Sequence, residues 1–316
     1  MKKFFKLVIV SLVLACVIFT FISPERYVES ALEGLKLWAI SVVPSLLPFF
    51  FFTSLLSALG LTSFIAKIAE KPFKFLFRTS GVGAYAFIMS ILSGYPVGAR
   101  IIADLSQNEI ISEDEATRLS TLCSTSGPAF VISCVGIGMF GDKQIAVAIF
   151  LSHVLSAVLC GLTFRGIGRS STLARKPLLQ TKTENLLYDC VYSSVISVAL
   201  VGGFICIFSL IADIFKDLSL LSPLVYVFSL AVDKQTATAF LYGLIECTRG
   251  CKTLSLCNLS TYSPAFASAL ISFGGISIWA QSIIFLSKAK VKIKIFCLSK
   301  ILQAVFSFIL CFIFIS

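Results

Sequence analysis

Charge is scarce in this sequence. Asp, Glu, Lys and Arg make up 13% of its 316 residues, about half the share of an ordinary soluble domain. Histidine is nearly absent, with His153 alone. The eleven cysteines contain no Cys-x-x-Cys pair. They fall mostly in apolar runs, where a thiol acts as a small hydrophobe, and this pattern excludes a disulfide framework or a zinc site. Cys247 and Cys251 can share a helix face, but two thiols alone make a poor metal site. There is no nucleophile–base pair, no run with metal-ligand spacing and no phosphate-binding glycine loop. No enzyme, no metal and no cofactor is expected; a coupling H+ or Na+ stays open.

Apolar side chains take the place of what is missing. Hydrophobic residues reach 57%, with 30 Phe, and the mean hydropathy is +0.97. That composition belongs to an integral membrane protein with many spans. The length then suggests two bundles or repeats rather than two soluble domains. The net charge of +10 invites a nucleic-acid reading, but its placement argues against one. The basic residues cluster between apolar runs, in KIAEKPFKFLFR (67–78), RGIGRSSTLARK (165–176) and KAKVKIK (288–294). Short loops rich in Lys and Arg mark the cytoplasmic side of a membrane. The expected partners are the lipid bilayer and a small-molecule solute, with a homo-oligomer left open; nucleic acid is not expected. The expected location is the bacterial cytoplasmic membrane, multi-pass, with the N-terminus cytoplasmic.

A crossing needs about 20 apolar residues. The opening stretch, MKKFFKLVIVSLVLACVIFTFIS, reads as a retained first helix over 1–24; its apolar run continues six residues past Cys16, the position of a weak lipoprotein-like cleavage site. In ERYVESALEGLKLW, Arg26, Glu29, Glu33 and Lys36 recur at helical spacing, which predicts an amphipathic segment leading into a crossing that ends near Leu59, bent by Pro44 and Pro48. Val82–Leu92 and Val97–Leu105 are each half a bilayer long, which predicts a re-entrant hairpin. Ser112 followed by Glu115 is a capping box, with Glu113 and Asp114 suiting the positive helix end; it predicts a helix start near 113. Further crossings are expected at Ile145–Phe164, Leu186–Ile211 and Ile295–Ile315. The expected fold is all-α: a polytopic membrane protein with two similar halves, re-entrant hairpins and broken transmembrane helices. The halves are expected at 25–164 and 185–316, joined by a basic cytoplasmic loop at 165–184.

Four clusters interrupt the oily segments: SGYP (93–96), STSGP (124–128), ECTRG (246–250) and SFGGIS (272–277). A broken membrane helix frees backbone N–H and C=O groups that cost several kcal/mol each if left in lipid. The broken ends must meet something polar. Half-helix N-termini suit a carboxylate or phosphate, and C-terminal ends suit a cation. Interrupted segments in both halves point to a transporter site, although a single break is equally well a kink satisfied by a neighbour. Candidate solute-binding residues are Ser93, Gly94, Tyr95 and Pro96; Ser124, Thr125, Ser126 and Gly127; Glu246 and Thr248; and Gly274, Gly275, Ser277 and Gln281. Arg100 is a candidate for an anionic solute, or pairs with Asp104 four residues on. Glu246 binds a proton or cation, or pairs with Arg249. His153 carries a proton, or is a buried ring bonded to a backbone carbonyl.

These segments resemble the sporulation integral membrane protein YlbJ family, whose members carry Gate (nucleoside-recognition) domains. SGYPVGARIIADL followed by ISEDEATRLSTLCSTSGPAF carries the likeness in the first half, and LYGLIECTRG and SFGGISIWAQ carry it in the second. The resemblance implies kinship with concentrative nucleoside transporters, a role in endospore formation and movement of dipicolinic acid. By match it also implies that Gly98, Pro128, Gly250 and Ala280 are motif positions. The expected function is a permease for a small polar or anionic solute, dipicolinic acid, working by alternating access at a midplane site. A nucleoside transporter and a non-transporting scaffold of a sporulation complex are the alternatives.

Overall fold

The computed structural model describes residues 2–168, 185–257 and 262–316. The chain begins with α1 (Lys2–Ile22) and α2 (Pro24–Leu37), then a π-helical turn (Trp38–Val42), α3 (Val43–Leu56), a second π turn (Ser57–Leu61), α4 (Thr62–Ile68) and α5 (Glu70–Phe77). A hairpin of α6 (Gly81–Ser93) and α7 (Val97–Gln107) follows. Next come α8 (Glu113–Leu122), the π-helix Ala129–Met139 and α9 (Lys143–Thr163). After α10 (Leu186–Asp217) and α11 (Ser222–Phe228), the same order returns. There is a pair α12 (Lys234–Gly243) and α13 (Cys247–Ser255), a broken helix α14 (Tyr262–Phe273) and α15 (Gly275–Leu286), and a long helix α16 (Ile293–Ile315). No strand occurs among the described residues. Of the expected basic loop 165–184, residues 169–184 lie outside them.

The protein is an all-α, multi-pass membrane protein. Four helices are long and apolar enough to cross a bilayer, or up to six if each bent pair counts as one span. The first bent pair turns by 55° between residues 42 and 46. Pro44 stands in that turn, as its missing N–H requires, whereas Pro48 rides inside α3 without a break of its own. The second turns by 89° between α5 and α6. Large apolar side chains face outward, among them Phe21, Ile40, Leu59, Phe75 and Leu230. Beside an apolar core that includes Ile149, Leu270 and Phe296, small and polar residues are buried along three helices: Ser152, Ser156, Ala157 and Gly161 of α9, Ser263, Ala267, Ser268 and Ser272 of α14, and Ser299 and Ser307 of α16. Small residues let membrane helices approach closely and bond across the contact; Ser268 Oγ and Ser307 Oγ lie 2.6 Å apart.

Ser112 starts α8 as its sequence predicts, its Oγ accepting from the Glu115 N–H at 3.2 Å. The second half of the capping box is used differently. Glu115 Oε1 accepts from the N–H and the hydroxyl of Ser80, both at 2.6 Å, so it ties α8 to the start of α6. The polar face of α2 keeps Arg26, Glu29, Glu33 and Lys36 exposed, and its first turns also reach α10. Arg26 and Tyr27 bond Asp217, and Ser30 bonds Asp213, which docks α2 along the last turns of α10.

Candidate functional site

Each of the four interruptions is a real break in the backbone, and they pair. At the first, α6 stops at Ser93 and α7 starts at Val97, with Gly94 at φ +76° and a cis bond before Pro96. At the second, residues 124–127 are unwound between α8 and the π-helix. The two loops pack backbone on backbone: a Cβ added to Gly94 would lie 2.7 Å from Gly127 N, and one added to Gly127 would lie 3.0 Å from Leu92 O. Hydroxyls stitch them to their surroundings. Thr125 Oγ1 donates to Ser90 Oγ, and Ser93 Oγ donates to Thr53 Oγ1 of α3, each at 3.0 Å.

The second half repeats the device with different chemistry. Gly274 is left-handed at φ +87°, and Gly275 follows at φ +71°. The first N–H groups of α15, from Ile276 and Ser277, donate to Leu244 O and Ile245 O at 2.8 and 3.1 Å. The carbonyls that the end of α12 frees are thereby used. Glu246 begins α13 as its N-cap: Oε1 accepts from Thr248 N at 3.1 Å and Oε2 from Arg249 N at 2.7 Å. The Arg249 guanidinium points elsewhere, to Asp213 at 2.7 Å and Glu33 at 3.3 Å. Of the two readings of Glu246, the pairing with the Arg249 side chain is therefore not what the structure shows. Tyr95 joins the two systems, its hydroxyl donating to Ile271 O of α14 at 3.3 Å.

His153 is fully buried in α9. The Ser126 N–H donates to its Nε2 at 2.7 Å, and its Nδ1 lies 2.7 Å from Ser272 Oγ. A nitrogen that accepts carries no proton, so the ring is neutral with hydrogen on Nδ1. The imidazole thus clamps the unwound segment to α14, bonded to an amide N–H rather than to a carbonyl. His153→Ala would orphan the buried Ser126 N–H at a cost of about 1–3 kcal/mol. Its melting temperature in detergent should fall, and an unchanged value would show that the clamp carries no weight.

The breaks surround a narrow hollow of about 40 Å³, smaller than the roughly 300–1,000 Å³ of small-molecule sites. Nine of the candidate residues line it: Ser93, Gly94, Tyr95, Ser126, Gly127, Glu246, Thr248, Ser277 and Gln281. The rest of the lining includes the apolar side chains of Val42, Leu46, Phe130, Val201, Ile205 and Ile278. Ser277 Oγ is buried without a hydrogen-bond partner. Pro96, Ser124, Thr125, Gly274 and Gly275 are not on the wall; they form the breaks behind it. Arg100 is not there either. It is exposed on α7, as is Asp104, because a turn beginning at Pro96 puts Gly98, Ala99, Ile102 and Ala103 on the buried face of that helix. The apolar wall from α10 and the supports Thr53, Ser272, Gln303 and Lys300 were not singled out by the sequence. Lys300 carried a usable signal: it is a lone cation well inside an apolar run of α16, and intramembrane charges are functional by default.

The Gate family, described as nucleoside recognition, matches residues 39–161, which hold the first two breaks. The sporulation integral membrane protein YlbJ of Bacillus subtilis (strain 168) is 31% identical over 312 residues, covering 90% of this chain and 76% of that protein. No solved structure matches.

Proposed function

The chain belongs to the YlbJ family of integral membrane proteins, and on that basis we propose that it is a permease acting in sporulation, passing a small ring-shaped polar solute through the cavity between its four breaks. The observation that carries this reading is the convergence itself. Residues from all four interruptions meet on one hollow, and inside it the Ser277 hydroxyl has no partner among the described residues. An unpaired buried hydroxyl costs about 1–3 kcal/mol, a cost that an entering polar ligand removes. The lining mixes apolar side chains with hydroxyl and amide groups, which suits a small ring carrying polar groups.

Dipicolinate, the solute that the family resemblance implies, has that form. Its two carboxylates would find Ser126, Ser277 and Gln281 as hydroxyl and amide partners. A second observation favours the nucleoside reading. Glu246 is the only ionisable acid or base side chain on the wall apart from Tyr95 and Cys247, and the free N–H groups expected at the half-helix N-termini are in part already bonded, to Glu246 and to the end of α12. A neutral solute needs no cation there. Movement through the site requires the ends of the hollow to open in turn, by alternating access.

Uptake by proteoliposomes of purified protein, with labelled dipicolinate and labelled uridine in parallel, separates these readings. Accumulation of dipicolinate above protein-free vesicles supports the first, and accumulation of uridine alone supports the second. Failure of both, in vesicles whose protein is folded, leaves the scaffold alternative. Arg100→Ala is expected to change uptake by less than about twofold, since a surface substitution away from the site is worth less than about 0.5 kcal/mol. A larger loss would return Arg100 to the solute path.

A further inference from the structure

Lys300 lies in the middle of α16 and is fully buried. Its Nζ is 2.6 Å from Tyr95 Oη, 2.9 Å from Ser124 O and 2.7 Å from Gln303 Oε1, and 4.8 Å from the centre of the Tyr95 ring. All three partners accept. A carbonyl and an amide oxygen can do nothing else, and the Tyr95 hydroxyl spends its own hydrogen on Ile271 O. With the hydroxyl and the amide oriented this way the nitrogen donates three hydrogens, as an ammonium does. No carboxylate is among its hydrogen-bond partners. Gln303 turns its oxygen to the lysine and leaves its own Nε2 unpaired.

The place is informative. Ser124 O belongs to the unwound segment just past the C-terminal end of α8, the negative end of that helix dipole. Unwound carbonyls at half-helix C-termini are where transporters hold a free Na+ or H+. Here the oxygen cage is already filled, by a cation tethered to the chain one side chain behind the cavity wall formed by Tyr95.

We propose that Lys300 is a built-in cation: its ammonium fills the oxygen cage of Tyr95, Ser124 and Gln303 that a free monovalent cation would otherwise occupy, so the protein is complete, and its solute site competent, without Na+ or K+. The transport half of this statement rests on the permease reading; the cage half does not. The test therefore reads cation occupancy by melting temperature, apart from uptake.

Wild-type, Lys300→Ala and Lys300→Met are compared in native membranes by heating followed by protease digestion, in choline, sodium, potassium and methylammonium chloride at equal concentration. Wild-type protein should melt at one temperature in all four. Lys300→Ala should melt several degrees lower in choline and regain much of the loss, saturably, in sodium or methylammonium. Lys300→Met fills the space with a neutral chain and should not respond. Sodium or potassium stabilisation of the wild type over choline, indifference of Lys300→Ala to every cation, or an equal response of the alanine and methionine variants each overturns the proposal. In proteoliposomes, uptake of dipicolinate or uridine by wild type should be the same in choline as in sodium. Absence of uptake in every salt, with the melting pattern intact, defeats the permease reading and leaves the built-in cation standing.

Discussion

Gly94→Val is expected to leave little folded protein in the membrane. The backbone there has φ +76° and ψ −168°, a region essentially reserved for glycine that costs an L-residue about 1–3 kcal/mol. The new Cβ would also lie 2.7 Å from Gly127 N. The neighbour is backbone, itself pressed against Leu92 O, so no flexible side chain can swing aside. Overpacking of this kind adds about 1–3 kcal/mol, and together the two penalties reach a large fraction of a stability of about 5–15 kcal/mol. Gly203→Val is the matched control, since nothing lies within 4 Å of a Cβ at that position of α10. Size-exclusion profiles of the two variants after brief heating should separate clearly, with Gly203→Val like wild type. Equal survival would mean that the two unwound loops do not press on one another.

The second large effect is expected at Glu246. Its carboxylate does two things at once: it caps α13 through Thr248 N and Arg249 N, and it is the one carboxylate on the cavity wall. Glu246→Ala removes the cap, worth about 1–2 kcal/mol, and empties that part of the wall. Glu246→Gln keeps one oxygen but turns an amide nitrogen toward a backbone N–H that needs an acceptor. The glutamine variant should insert but melt lower than wild type, the orphaned N–H costing about 1–3 kcal/mol, while uptake per folded protein falls about tenfold or more, each tenfold being about 1.4 kcal/mol. Uptake at the wild-type level would show that the carboxylate serves only to start a helix.

Much of the fold was legible because membrane helices obey few rules. The capping residues Ser112 and Glu115 announced α8 to the residue, and SGYP and the Gly274–Gly275 pair announced breaks because such residues cannot be satisfied in lipid. What could not be read was direction. Arg100 and Tyr95 stand five residues apart in one motif, yet one faces out and the other in, because the phase of α7 is fixed only where Pro96 starts it. Glu115 was legible as a capping residue but not as the cap of another helix. The apolar wall from Val201 and Ile205 of α10 was illegible for a different reason. Every face of that helix is oily, so composition does not tell lipid from cavity. Lys300 was legible and passed over: it lies inside the expected crossing Ile295–Ile315, beyond the basic run at 288–294.

Plugging the hollow tests its role most directly. Ser277 sits at the start of α15 with its hydroxyl unpaired in the cavity, and Ser277→Leu would fill that space with an apolar chain while leaving the Ser277 N–H bond to Ile245 O in place. Dipicolinate and uridine uptake by proteoliposomes of wild-type and Ser277→Leu protein, at matched melting temperature, is the measurement. Wild type should accumulate at least one of the two solutes and the leucine variant should lose that accumulation; retention of full uptake with the hollow blocked would show that solute does not pass where the four breaks meet.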